Sequence, residues 1–125
     1  MNRKQLITKI KNVRREYIRA RDSKGEYTPC ISCSKSCETK NMHVGHYYHG
    51  DFHTELTEDE RNVNLQCVKC NYHKSGEARG YAIGLINKYG EGVLQELSAK
   101  KKAKYYKMKD LEKLLEYYQS KLLTP

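Results

Sequence analysis

The chain contains no tryptophan and one phenylalanine among 125 residues, so it lacks the material for a large aromatic core. Apolar residues make up 38% and charged residues 31%, a composition too lean to stabilise a domain generously by burial alone. An internal staple is therefore expected, and a structural metal can supply one. There is no stretch approaching the roughly 20 apolar residues that span a bilayer. Nor is the start, Met1-Asn2-Arg3-Lys4-Gln5, followed by the apolar core of a signal peptide. These absences argue against a membrane protein and a secreted scaffold, and point to a soluble, intracellular one. Internal repeats and long low-complexity segments are missing too, and the length suits a single domain. Acidic residues are also in short supply. Fifteen Asp and Glu face 24 Lys and Arg, a net charge of +9 that attracts polyanions, nucleic acid first among them.

Five cysteines are present, and in a reducing compartment short spacings mark metal ligands rather than disulfides. Cys30-Ile31-Ser32-Cys33 and Cys67-Val68-Lys69-Cys70 are two C-x2-C turns, each able to bring two sulfurs to one tetrahedral ion. Together they predict a four-cysteine Zn2+ site with no position open for water, hence a structural ion. Cys37 is left as a free thiol.

Around these pairs the pattern is mixed. Leu6, Ile10, Val13 and Tyr17 recur at helical steps, predicting an amphipathic helix that ends near Arg21. Residues 22–65 read as loops carrying a two-stranded ribbon over 42–48 and 62–66. Short helices are expected over 70–75, stopped by Gly76, and over 78–89, closed by Gly90. Residues 98–122 form the longest helical candidate. Its seam of Met108, Leu111, Leu115, Tyr118 and Leu122 suits packing on the N-terminal helix of the same chain, or a homodimer contact through the terminal helices. The fold class is thus α+β: a zinc-stabilised ββα-metal (HNH-like) core over 28–76, a basic helix over 1–22 and a helical region over 77–125.

Between and after the cysteine pairs stand His43-Val44-Gly45-His46-Tyr47, Asn62, and Asn71-Tyr72-His73-Lys74. A one-metal nuclease needs a neutral imidazole to take a proton from water and a hard divalent ion on the scissile phosphate. His46 is the candidate general base, since histidine titrates near pH ~6.5. His43, leaning over Gly45, and Asn71, on the first turn of the short helix, are candidate ligands of a catalytic Mg2+ or Mn2+. Asn62 is expected to brace the loop that orients His46. Lys74 is a candidate phosphate contact, with His73 and Tyr47 beside it as DNA contacts.

The runs Pro29-Cys30-Ile31-Ser32-Cys33, Gly45-His46-Tyr47, Glu55-Leu56 and residues 62–76 resemble the NinG (Rap) family of phage recombination nucleases. The likeness extends through Tyr81, Gly84-Leu85-Ile86 and Tyr89-Gly90. It implies a zinc-stabilised nuclease acting with a divalent metal on branched DNA such as Holliday junctions and D-loops, in the cytoplasm or nucleoid of a bacterial host. By the resemblance His46 matches the family's Gly-His-Tyr histidine and Asn71 its asparagine after the last cysteine. The chain departs from the pattern in bearing His43 where the family has an acidic residue and Asn64 where it has a histidine. Two non-enzymatic alternatives remain: a zinc-ribbon DNA-binding module of a recombination complex, and an adaptor that binds protein through its last helix.

Overall fold

The computed structural model describes residues 1–73 and 78–123. It begins with α1, Arg3–Asp22, opened by a reciprocal cap in which Asn2 Oδ1 accepts from Gln5 N–H and Gln5 Oε1 accepts from Asn2 N–H. Leu6, Ile10, Arg14 and Ile18 lie buried along one stripe of this helix. Two antiparallel pairs follow. β1 (Tyr27–Pro29) pairs with β2 (Ser36–Glu38), and β3 (His43–His46) pairs with β4 (Val63–Gln66), in the register His43 to Gln66 and His46 to Val63. The loop joining β3 to β4 holds two 3-10 turns, Glu55–Glu58 and Glu60–Asn62. Four helices complete the chain: α2 (Val68–His73), α3 (Ala78–Tyr89), α4 (Val93–Ala99) and α5 (Met108–Leu123). The architecture is α+β, and no helix among the described residues is long and apolar enough to cross a membrane.

Leu6 and Ile10 of α1 meet Leu111 and Tyr118 of α5, with Phe52 and Tyr106 between them. Each such side chain, fully buried, contributes about 1.5–3 kcal/mol. Part of the seam is thus used inside the chain, while Met108 and Leu122 remain exposed. A second cluster places Tyr81 and Leu85 of α3 against Val93, Leu97 and Leu56. The third surrounds Cys30, Met42, Leu65 and Cys70.

The long helix expected over 98–122 is two helices. α4 stops at Ala99, and residues 100–107 run beside the β3–β4 loop, where Glu55 N–H bonds Lys102 C=O and Lys104 N–H bonds His53 C=O. Tyr106 is buried there, its hydroxyl on Thr54 C=O and Glu58. Lysine-rich sequence favours helix only weakly, and these tertiary partners override it. The β1–β2 hairpin was likewise expected only as loop, because three-residue strands carry no period to read. The helix anticipated over 70–75 starts earlier, at Val68, and its expected stop, Gly76, lies outside the described residues.

α3 docks on the first cysteine turn through Gly84, where a Cβ would fall 2.0 Å from the Ile31 carbonyl oxygen. That contact is backbone, so a side chain must push the helix away. Gly84→Ala is expected to cost about 1–3 kcal/mol, the range for overpacking, measurable as a lowered midpoint in thermal unfolding with zinc bound.

Charge also ties the frame together. Asp59 is nearly buried and receives Arg61 at 2.7 Å and Lys100 at 3.0 Å. Burial alone would raise its pKa, but these partners outweigh burial and hold it at about 2. A depressed carboxylate stabilises the fold above its ordinary value, and that stabilisation is lost as pH falls through the native value. Stability should therefore drop between about pH 3.8 and about pH 2, and less steeply in Asp59→Asn than in the parent protein when the two thermal midpoints are compared.

Candidate functional site

The four sulfurs of Cys30, Cys33, Cys67 and Cys70 lie within 4.8 Å of one another, brought together by the turn after β1 and the junction of β4 with α2. Metal–sulfur bonds of about 2.3 Å at tetrahedral angles require sulfurs about 3.8 Å apart. The Cys33 and Cys67 sulfurs are 3.9 Å apart. Backbone N–H groups of Ser32 and Cys67 point at the Cys30 sulfur at 3.4 and 3.3 Å, and that of Cys70 at Cys67 at 3.5 Å, as thiolates require. Burial pushes the Cys30 and Cys70 thiols up, while at Cys67 burial is outweighed by hydrogen bonds from Cys70, which hold its thiol down. The donor set fits a metal such as zinc. Cys37, on β2, is not one of these four but packs against them, its thiol donating to Lys35 C=O and its pKa pushed up by burial and by the neighbouring cysteines.

β3 follows directly on this support and, like any strand, sends alternate side chains to opposite faces. On the face toward α2, His43 Nδ1 lies 3.2 Å from Asn71 Nδ2. Buried Gln66 is anchored to Ser32 Oγ at 2.7 Å. Gly45 sits between them: a Cβ there would be 1.8 Å from Gln66 Oε1 and 2.8 Å from Asn71 Oδ1. The glycine leaves room for the two carboxamides to approach bare backbone. His43, Asn71 and Gln66 thus gather one imidazole and two carboxamides around Gly45. Beneath them Tyr81 donates to Gly45 C=O at 2.7 Å. Asn64 takes Lys88 at 2.7 Å on its oxygen, and Lys88 also bonds Asp22. This buried polar hub joins the end of α1, β4 and α3 and fixes the strand from below.

His46 projects to the other face. Its Nε2 is 2.8 Å from Asp51 Oδ2, and the same carboxylate is gripped by both Nη atoms of Arg14 from α1. Burial opposes the charge on Asp51, but His46 and Arg14 outweigh it and hold the carboxyl well below the usual range. These three residues, with Lys11, Arg15 and His49, line a pocket of about 350 Å3. Just beyond His46, Asn62 accepts Tyr48 N–H at 2.9 Å and donates to Tyr48 C=O at 2.9 Å, while its own carbonyl accepts Tyr47 N–H. The chain leaving His46 is pinned on both sides of one residue.

The structure therefore brings His43 to Asn71 and Asn62 to the segment after His46. His46 lies on the face of β3 opposite to the His43–Asn71 pair, and among the described residues no hydrogen bond joins His46 to Asn71. The Tyr47 ring is half-buried against Tyr48 and Tyr81, at 4.7 and 5.3 Å between centroids, which limits it as a stacking platform. Lys74 and the side chain of His73 lie outside the described residues. Sequence reasoning missed Asp51, Arg14, Lys11, Arg15 and Gln66. The basic stripe of α1 was visible, but nothing in the sequence aimed it at His46.

Residues 1–124 match the family model described as Bacteriophage Lambda NinG protein. The chain belongs to the NinG family. It is 34% identical to Protein ninG of Escherichia phage 933W over 106 residues, covering 85% of this chain and 51% of that protein. Protein ninG of Salmonella phage P22 is 34% identical over 106 residues, and that of Escherichia phage lambda 32%, each match covering 85% of this chain and 50% of the relative. This NinG-family chain thus spans about half the length of the curated relatives it matches. No solved structure matches it at a significant level.

Proposed function

We propose that this NinG-family chain is a divalent-metal-dependent endonuclease of the ββα-metal (HNH-like) type that hydrolyses phosphodiesters in branched recombination intermediates such as Holliday junctions or D-loops. The observation that carries this reading is the setting of His46. Its imidazole stands on the wall of a cationic pocket, held there by Asp51 and Arg14, on the face of β3 opposite to the one where His43 meets Asn71. Support also comes from the β3–β4–α2 order anchored on a four-cysteine cluster, and from the +9 charge.

In this reading Lys11 and Arg15 hold the DNA backbone in the pocket and offset its charge. His46 accepts the proton of the attacking water as the new P–O bond forms and the bond to the departing sugar oxygen breaks. Asn62 keeps the strand end, and with it the imidazole, in one orientation. His43 and Asn71, with Gln66 behind them, would hold Mg2+ or Mn2+ on the other face of β3, where the ion would offset charge on DNA backbone bound there. The four-cysteine Zn2+ site shapes the frame and takes no part in the reaction.

The test is incubation of zinc-loaded protein with matched four-way and linear DNA, with and without Mg2+ or Mn2+. The four-way substrate should be cut only with the divalent ion, and faster than the linear one. Salt-sensitive binding without cutting under every condition would make the chain a zinc-ribbon DNA-binding module instead.

A further inference from the structure

We infer that Asp51 is a positioning residue for His46, and that Arg14, reaching across from α1, holds Asp51 in that role. The inference rests on the nuclease reading and adds to it the residues that choose which imidazole nitrogen does the work.

Asp51 is carried by a loop whose backbone is set by its neighbours. Gly50 has φ +126°, and Phe52 has φ +64°, an unfavourable value for an aromatic residue. Such strain persists only where the surroundings over-determine it. Here the Phe52 ring is buried between α1 and α5 with Leu6, Ile10 and Tyr106, and its N–H bonds Thr57 Oγ1 at 2.6 Å. The Arg14 guanidinium lies 5.4 Å from the centre of that ring while its two Nη atoms grip the Asp51 carboxylate. Arg14 and Asp51 side chains are only 5% and 17% exposed, against 30% for His46. The carboxylate is therefore fixed by a buried cation that itself lies over a buried ring, and its Oδ2, which also accepts from Arg14, meets His46 Nε2 at 2.8 Å.

An ionised carboxylate can only accept, so Nε2 must carry the hydrogen, and Nδ1 is left with the lone pair. When Nδ1 takes the proton of water, the ring becomes a cation beside Lys11, Arg14 and Arg15, with His49 also on the pocket wall. Asp51 is the one anion among these groups and offsets that repulsion without being protonated itself. Orientation, tautomer and charge compensation thus come from one side chain, a division of labour also found in catalytic triads.

Two measurements on the full, zinc-loaded chain test this. Ring 15N spectra of His46 should show the Nε2–H tautomer in the parent protein, loss of that preference in Asp51→Asn, and its retention in Asp51→Glu. In junction cleavage, Asp51→Asn should lower kcat about 100-fold with KM nearly unchanged, and Asp51→Glu should recover most of the loss. Bound zinc and a cooperative unfolding transition confirm that each variant is folded. The inference is overturned if Asp51→Asn leaves the tautomer and kcat as in the parent, or if Asp51→Glu is as impaired as Asp51→Asn. If the parent protein shows the Asp51-dependent tautomer but cuts no DNA, the pairing stands and its catalytic use, together with the nuclease reading, is overturned.

Discussion

His46→Ala is expected to lower the rate of junction cleavage by about 10²–10⁴-fold, the contribution of a positioned general base, while DNA binding and zinc content stay at parental levels. Binding should survive because the pocket's cations, Lys11 and Arg15, do not depend on the imidazole. Zinc should survive because His46 faces away from the strand side that carries Asn71 and the second cysteine turn. Asp51 would lose its partner but keep both bonds from Arg14, so the loop should hold. Burst kinetics at saturating protein separate this effect from a change in affinity. A variant that binds normally and cuts at the parental rate would remove His46 from the reaction.

Removing the metal should have a larger consequence, because it acts on the frame. Structural Zn2+ binding is worth roughly 10–16 kcal/mol in zinc-finger peptides, comparable with the whole stability of a small domain at about 5–15 kcal/mol. The cysteine cluster is itself one of the three hydrophobic clusters, and both β4 and α2 hang from it. Cys67→Ser, or exhaustive chelation, should therefore abolish cooperative unfolding over most of the chain and with it any DNA cleavage. Thermal unfolding followed by circular dichroism, beside a zinc count per chain, measures this. Cys37→Ser is the control: its sulfur packs against the group of four without belonging to it, so the zinc count should stay unchanged and the midpoint nearly so. A metal-free protein with the parental midpoint would show that the cluster is dispensable.

How much of this was legible in the sequence depended on how local each signal was. The two C-x2-C turns are short-range, and the residues between them already named a ribbon and a following helix. α1 announced itself by periodicity, and α3 by its closure at Gly90, where φ is +104°. The break between α4 and α5 was not legible, because what stops the helix is Tyr106 finding Thr54 and Glu58 about 50 positions away. The same holds for Asp51. Five residues after His46 in a loop, it looks like any turn aspartate until Arg14, 37 positions earlier, and the buried Phe52 lock it in place. Asn64 is a further case. A polar residue on a four-residue strand carries no sign of its role, and the structure makes it part of the buried hub with Asp22, Lys88 and Tyr81.

Single-turnover cleavage of an end-labelled four-way junction, run with zinc-loaded protein as Mg2+ is titrated, bears most directly on the proposal. Product should rise with the ion in the parent protein, stay near background in His46→Ala, and need more ion in Asn71→Ala. A fully bound junction that yields no product at any Mg2+ or Mn2+ concentration would contradict it.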